Sequence, residues 1–90
     1  MEKRKPDSSR LQGKNEVKAT SINGCIDFTI QNVGVEKIYF GFIKNVDPDI
    51  PLNPNEQSTW PLYRPDEEWE GELYVRFGVN GSVALILKTV

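Results

Sequence analysis

The chain contains no histidine and only one cysteine, Cys25. A single thiol excludes an internal disulfide, and the lack of histidine removes the commonest metal ligand and the commonest general base. Cys25 stands at the start of an alternating apolar segment, so we interpret it as a small buried hydrophobe. We therefore expect a protein that is not an enzyme and that binds no cofactor and no metal.

Long apolar runs are also missing. No segment approaches the roughly 20 apolar residues that a membrane-spanning helix needs. The basic start of the chain is not followed by the apolar core of a signal peptide. We expect no membrane span, no export signal and synthesis in the cytoplasm.

The charge is distributed unevenly along the 90 residues. Residues 1–15 carry five basic and two acidic side chains, whereas residues 16–90 carry six basic and eleven acidic ones. Residues 1–15 also lack aromatic side chains, so they cannot bury enough apolar surface to fold alone. This predicts a basic N-terminal arm over 1–15 and one domain over 16–90.

The domain has the alternation of β-strands. From Trp69 to Phe77 apolar and polar residues alternate, which predicts a strand with one buried face. Ser82 to Leu87 is apolar on both faces, and so is Val35 to Lys44. Shorter strands are predicted near Val17–Ile22, Cys25–Gln31, Ile50–Leu52 and Glu56–Leu62. No window has helical periodicity, so we predict an all-β fold: a small antiparallel β-sandwich or jelly-roll-like barrel of about six or seven strands.

Strands that are apolar on both faces need cover on both sides. A chain of this length buries only about 60–65% of its unfolded surface, and no disulfide reinforces it. We therefore expect the second faces of two strands to line contacts between subunits of a homo-oligomer. The residues predicted there are Tyr39, Gly41, Ile43, Ala84, Ile86 and Lys88.

The basic arm has three readings: a flexible tail, an arm that docks on an acidic neighbouring subunit, or a nucleic-acid contact. The acidic domain opposes nucleic acid, and no aromatics interleave the arm to stack on bases. We expect docking of the arm on an acidic neighbour, and we expect deletion of residues 1–14 to leave the fold intact. The docking residues are Lys3, Arg4, Lys5 and Arg10, and their expected acceptors are Glu67, Glu68 or Glu70.

Two further groups could bind a ligand. Trp60 and Tyr63 flank Pro61-Leu62 and could pack in the core, contact a partner or stack on a sugar ring. The acidic run from Asp66 to Glu72 could hold a cation or act in acid–base chemistry, but the alternation of Glu70 and Glu72 is typical of a solvated strand face.

Three segments carry a resemblance to a known class of protein: Gly24-Cys25-Ile26-Asp27-Phe28-Thr29-Ile30-Gln31-Asn32-Val33-Gly34, then Lys37-Ile38-Tyr39-Phe40-Gly41, then Ile50-Pro51-Leu52-Asn53-Pro54-Asn55-Glu56-Gln57-Ser58. They resemble small β-sandwich structural proteins of bacteriophages, in which an Asn-x-Gly turn precedes an Ile-Tyr-x-Gly strand and a Leu-x-Pro-Gly-Glu-Ser-like loop follows. Here Asn55 stands where that loop has glycine, and Gln57 is inserted before Ser58. The likeness covers about residues 24–90 and excludes the arm.

The resemblance implies a virion protein without catalytic residues, such as a capsid decoration, vertex, joining or fibre-base protein. Its partners would be other copies of itself or other virion proteins, and its location would be the virion. The alternative from the residues alone is a small carbohydrate-binding β-sandwich that uses Trp60 and Tyr63.

Overall fold

A computed structural model describes residues 6–61 and 69–89. All regular structure within these two ranges is β, with eight strands rather than the six or seven predicted. The strands are β1 (Pro6–Gly13), β2 (Glu16–Ser21), β3 (Asp27–Asn32), β4 (Ile38–Gly41), β5 (Ile50–Leu52), β6 (Gln57–Pro61), β7 (Glu72–Phe77) and β8 (Ser82–Thr89).

The strands form two four-stranded antiparallel sheets. Sheet I has the order β1-β8-β3-β6, and sheet II has the order β2-β7-β4-β5. The inward side chains of both sheets belong to one hydrophobic core, as the period-two patterns of β3, β4 and β7 require. The core residues are Ile22, Cys25, Phe28, Ile30, Ile38, Phe40, Leu52, Leu73, Val75, Phe77, Ala84 and Ile86.

The first strand departs from the sequence prediction. We expected Pro6–Gly13 to belong to a basic arm outside the domain that docks on a neighbouring subunit, but it pairs with β8 of its own chain along its full length, from Pro6 opposite Thr89 to Gly13 opposite Ser82. Its composition is polar because it is an edge strand whose outer side faces water, and only Leu11 packs on the core. The expected boundary at residue 15 therefore does not separate an arm from the sheet; residues 1–5 lie outside the described ranges.

A buried asparagine joins the turns at one end of the two sheets. The Asn32 side chain donates to the carbonyls of Glu36 (2.8 Å) and Leu52 (3.0 Å). Its Oδ1 accepts from the Gly34 amide (3.1 Å) and the Ser82 hydroxyl (2.9 Å). All the hydrogen-bonding capacity of the amide is therefore used, which fixes the β3–β4 turn against the start of β8.

Candidate interaction surfaces

The face of β8 that we predicted to line subunit contacts is the face that points into the core. Ala84 and Ile86 have no exposed surface and belong to the core, and Lys88 is only 8% exposed. They cannot line subunit contacts in this fold. The outward face of β8 carries instead the row Val83, Leu85 and Leu87.

The register explains why the sequence pattern failed here. Ile30 of β3 lies opposite Ile86, and Asn32 lies opposite Ala84, so the inward face of β3 determines the inward face of β8. Because both faces of β8 are apolar, alternation alone could not choose between them. The only signal in the sequence for the outward residues Val83, Leu85 and Leu87 is that they form the second apolar row of this strand.

Lys88 is held between the two sheets rather than at a surface. Its ammonium group donates to the carbonyl of Ser21 at 2.8 Å and contacts the Thr20 hydroxyl at 3.5 Å, and both acceptors lie on β2. A charged side chain at an inward position is tolerated because these oxygens replace part of its hydration. Lys88 thus connects sheet I to sheet II.

The outer face of sheet I is nearly continuous and mostly uncharged. Its β3 and β6 rows are linked by the Thr29–Thr59 hydroxyl pair (2.9 Å) and by Gln31 donating to Gln57 (2.6 Å). Leu87, 41% exposed, lies at the end of the apolar row and is its most exposed member. The described side chains of this face are Ser8, Arg10 and Gln12 from β1, Val83, Leu85 and Leu87 from β8, Asp27, Thr29 and Gln31 from β3, and Gln57 and Thr59 from β6.

A shallow depression of about 540 Å³ adjoins Leu87 on this face. Its lining includes Ser8 on one side and Asp27 and Thr29 on the other, so Leu87 stands beside a recess with polar walls. Many protein–protein contacts have an apolar centre that is surrounded by a polar rim.

The outer face of sheet II is partly covered by the chain itself. The Arg76 guanidinium lies over the Tyr39 ring, 4.2 Å from its centroid, and also donates to the Pro48 carbonyl. Gly41 lies against the same loop, since a Cβ there would come within 3.3 Å of the Pro48 Cα. Tyr39, Gly41 and Ile43 lie outside the core as expected, and Ile43 is 65% exposed. Their role in subunit contacts stays a prediction.

Beside this loop lies a groove of about 420 Å³ whose lining includes Val17, Ala19, Val46 and Tyr74. Partial desolvation raises the pKa of Tyr74 above its ordinary value of 10.0, and the negative charge and hydrogen bond of Glu72 raise it further. The Tyr74 hydroxyl therefore keeps its proton further into the alkaline range than an ordinary tyrosine does.

Trp60 does not form an isolated platform. Its ring packs against Phe42 at 5.2 Å and against Phe40 at 6.0 Å, in edge-on geometry. Its Nε1 is buried and has no hydrogen-bond partner within the described chain. Trp69 stacks on Phe42 at 5.6 Å and donates to the Trp60 carbonyl. Trp60 is therefore part of an aromatic cluster at the rim of the core, and Tyr63, its predicted companion, lies outside the described residues.

The predicted docking residues are only partly placed. Arg10 lies exposed on β1, and Glu70 is exposed just before β7. Lys3, Arg4, Lys5, Glu67 and Glu68 lie outside the described ranges. Within the described chain Lys18 forms a salt bridge with Glu16, and neither Arg10 nor Asp27 forms an ion pair or a side-chain hydrogen bond there.

Among residues 6–61 and 69–89, no three acidic or cysteine side chains come together in a way that could hold a metal ion. The same ranges contain no helix with the length and apolar character to cross a membrane. Comparison with protein-family models, with curated proteins and with solved structures found no match.

Proposed function

We propose that this protein is a structural assembly protein that acts through contacts between subunits, as a homo-oligomer or as one part of a larger particle. The observation that carries the proposal is the strand β8. Its inward side fills the core with Ala84 and Ile86, and its outward side places Val83, Leu85 and Leu87 at the centre of an exposed sheet. Contiguous apolar side chains on an open sheet face mark interaction sites.

The strand order supports the viral form of this proposal. Eight antiparallel strands in the orders 1-8-3-6 and 2-7-4-5 follow the winding of a jelly roll. Double-sheet jelly rolls are the architecture of many viral capsid proteins and also of lectins. We therefore propose a virion protein of a bacteriophage, namely a capsid decoration, vertex, joining or fibre-base protein.

The loop after β5 agrees with the resemblance on which the viral assignment rests. Asn55 stands where the resembling proteins have glycine, and its φ is 69°. Asparagine and glycine are the two residues that most readily adopt this left-handed conformation, so the substitution keeps the turn. The amide of Asn55 also donates to the Asn32 carbonyl at 2.8 Å, which ties the loop to β3.

The proposed role is non-enzymatic and needs no cofactor. The chain has no histidine, and its single cysteine is buried in the core. The property to measure is therefore the oligomeric mass of the protein and not an enzymatic activity. Light scattering on the full chain over a wide concentration range should give a mass above that of one subunit. A mass of one subunit at every concentration would contradict contacts between copies of this chain.

The viral assignment has a separate test. Mass spectrometry of purified phage particles whose genome encodes this chain should detect it in a fixed ratio to the major capsid protein. Presence of the chain in infected cells but not in purified particles would contradict a virion location while leaving self-assembly possible.

The lectin use of the jelly roll favours one alternative, a carbohydrate-binding module. Trp60 would supply the stacking surface, although its ring already packs on Phe40 and Phe42. Glycan-array binding that is lost in Trp60→Ala, with the oligomeric mass unchanged, would favour this alternative over assembly.

A further inference from the structure

We infer that two copies of this chain associate face to face through the outer face of sheet I, about a two-fold axis that passes over Leu87. The inference rests on the proposed assembly function and specifies its first contact. The occupant of the face is a second copy of the same chain, because the charges of this face are complementary to themselves.

The complementarity follows from the strand register. Leu87 lies opposite Ser8 on β1 and opposite Thr29 on β3. Arg10 lies two residues beyond Ser8 towards Leu85, and Asp27 lies two residues before Thr29 towards Thr89. Arg10 and Asp27 are therefore at diagonally opposite corners with Leu87 midway, each about 8 Å from it by standard strand spacings.

A two-fold axis that lies between the two facing sheets, passes over Leu87 and runs perpendicular to the line from Arg10 to Asp27 exchanges these two corners. Arg10 of one copy then meets Asp27 of the other, and the same pair forms a second time on the opposite side. Such a contact is isologous, with the same patch on both copies. Leu87 meets its own counterpart at the centre, and the recess beside it provides room for both side chains.

Two further observations favour this face. Arg10 and Asp27 have no ion-pair partner within the described chain, so docking would not have to break an existing bridge. On the same face, the side chains of Thr29 and Thr59 and those of Gln31 and Gln57 are already held in place by hydrogen bonds to each other. Side chains that are ordered before docking lose less conformational entropy on association.

The surface of sheet II offers no equivalent arrangement. Its arginine, Arg76, is already engaged by the Tyr39 ring and the Pro48 carbonyl. The loop that carries Pro48 also lies across Gly41 and interrupts the sheet face. Sheet I is therefore the face we assign to the symmetric contact.

Charge exchange tests the inference. Sedimentation velocity on the full chain should show that Arg10→Asp and Asp27→Arg each raise the dissociation constant by about tenfold or more, because each places two like-charged pairs in the contact. The double variant R10D/D27R should return to within about threefold of the unchanged protein, since the pairs are restored in reverse. The exposed Lys44→Asp, on a loop at sheet II, is the matched control and should have no effect.

Mixing the two single variants gives a sharper result. One copy then carries only acidic groups at these corners and the other only basic groups, so the two should form a mixed dimer tighter than either variant alone. Circular dichroism should confirm that each variant is folded, since both side chains are outside the core.

The outcomes separate this inference from the proposed function. If the unchanged protein forms oligomers that neither single variant weakens, the assembly function stands and this interface is wrong. If the double variant and the mixture stay dissociated although folded, the reciprocal pairing is wrong. If the unchanged protein is a single subunit at every concentration, this interface and the homo-oligomeric form of the proposed function are both wrong.

Discussion

Asn32 is the polar residue on which the packing of the turns depends most. It is fully buried, and four hydrogen bonds join its amide to Gly34, Glu36, Leu52 and Ser82. Asn32→Ala leaves several buried donors and acceptors without partners, so we expect the free energy of unfolding to fall by about 3 kcal/mol. Urea unfolding followed by tryptophan fluorescence measures this change.

The matched control for Asn32 is Asn53→Ala. Asn53 is exposed, and its backbone makes its hydrogen bonds: the amide donates to the Glu56 carboxylate and the carbonyl accepts from the Glu56 amide. Both are kept in the variant. We expect the free energy of unfolding of this variant to fall by less than about 0.5 kcal/mol. Equal losses in the two variants would show that the hydrogen bonds of the Asn32 side chain do not stabilise the fold.

Tyr74 gives the protein a specific response to high pH. Its folded-state pKa is raised above 10.0 by partial desolvation and by Glu72. Below pH 10.0 the folded and unfolded states both keep the phenolic proton, and the stabilisation is complete. At higher pH the unfolded chain loses that proton first, so the contribution is lost as pH rises through the folded-state pKa.

We therefore expect stability to fall above pH 10.0, and to fall less steeply in Tyr74→Phe. Glu72→Gln should lower the pKa of Tyr74 towards its ordinary value without removing the effect of desolvation. An absorbance titration of the phenolate, taken as the difference between the unchanged protein and Tyr74→Phe, checks the pKa. A Tyr74 pKa at or below 10.0 would contradict the assigned environment.

The edge strand β1 is the element for which the sequence prediction and the structure differ most, because a segment predicted as an arm is a strand of sheet I. Deletion of residues 1–13 would remove all of β1 and leave eight residues of β8 as an open apolar edge. It would also remove the Leu11 side chain from the core surface. We expect the free energy of unfolding to fall by about 2 kcal/mol or more. We also expect non-specific self-association, because exposed strand edges template aggregation.

Deletion of residues 1–5 is the matched comparison. It removes three of the basic residues of the segment but leaves every described strand whole. We expect its thermal unfolding midpoint to stay within about 2 °C of the unchanged protein. If deletion of 1–13 were equally harmless, β1 would not contribute to the stability of sheet I and the arm predicted from the sequence would be the better description.

The elements that the sequence predicted best are those with one apolar face. The alternation from Trp69 to Phe77 located β7 and its inward Leu73, Val75 and Phe77 correctly. The short strand at Ile50–Leu52 was also placed correctly, because proline restricts such a segment to the edge of a sheet.

The elements that the sequence could not predict depend on pairing between distant segments. β1 has no apolar face of its own and is a strand because β8 supplies its hydrogen-bonding partner. The face of β8 was assigned wrongly because the choice between Ile86 and Leu87 is made by the register with β3. The candidate surface depends on that register, so it too required the structure.

At the scale of the whole molecule, the fold and the assembly use adjacent residues of one strand. Ile86 has no exposed surface and fills the core between the sheets, whereas Leu87 is 41% exposed on the outer face of sheet I. The same substitution at the two positions should therefore act on different properties. Asp at position 86 would place a carboxylate in the core, whereas Asp at position 87 would place one in water in the free subunit.

We expect Ile86→Asp to lower the free energy of unfolding by about 4 kcal/mol or more, so that little folded protein remains. Leu87→Asp should change it by about 0.5 kcal/mol or less, because the side chain is solvated in the free subunit. In the assembled state, however, two carboxylates would face each other at the two-fold axis. Leu87→Asp should therefore raise the dissociation constant of the oligomer about a hundredfold.

Chemical unfolding of dilute protein and sedimentation velocity of concentrated protein measure the two properties separately. A folded Leu87→Asp that stays assembled as tightly as the unchanged protein would place the subunit contact elsewhere, with the loop residue Ile43 as the next exposed apolar side chain to test. An unfolded Leu87→Asp would contradict the face assignment of β8 itself. The pair thus distinguishes an error in the interface from an error in the register, because only the register determines which of the two neighbours is in the core.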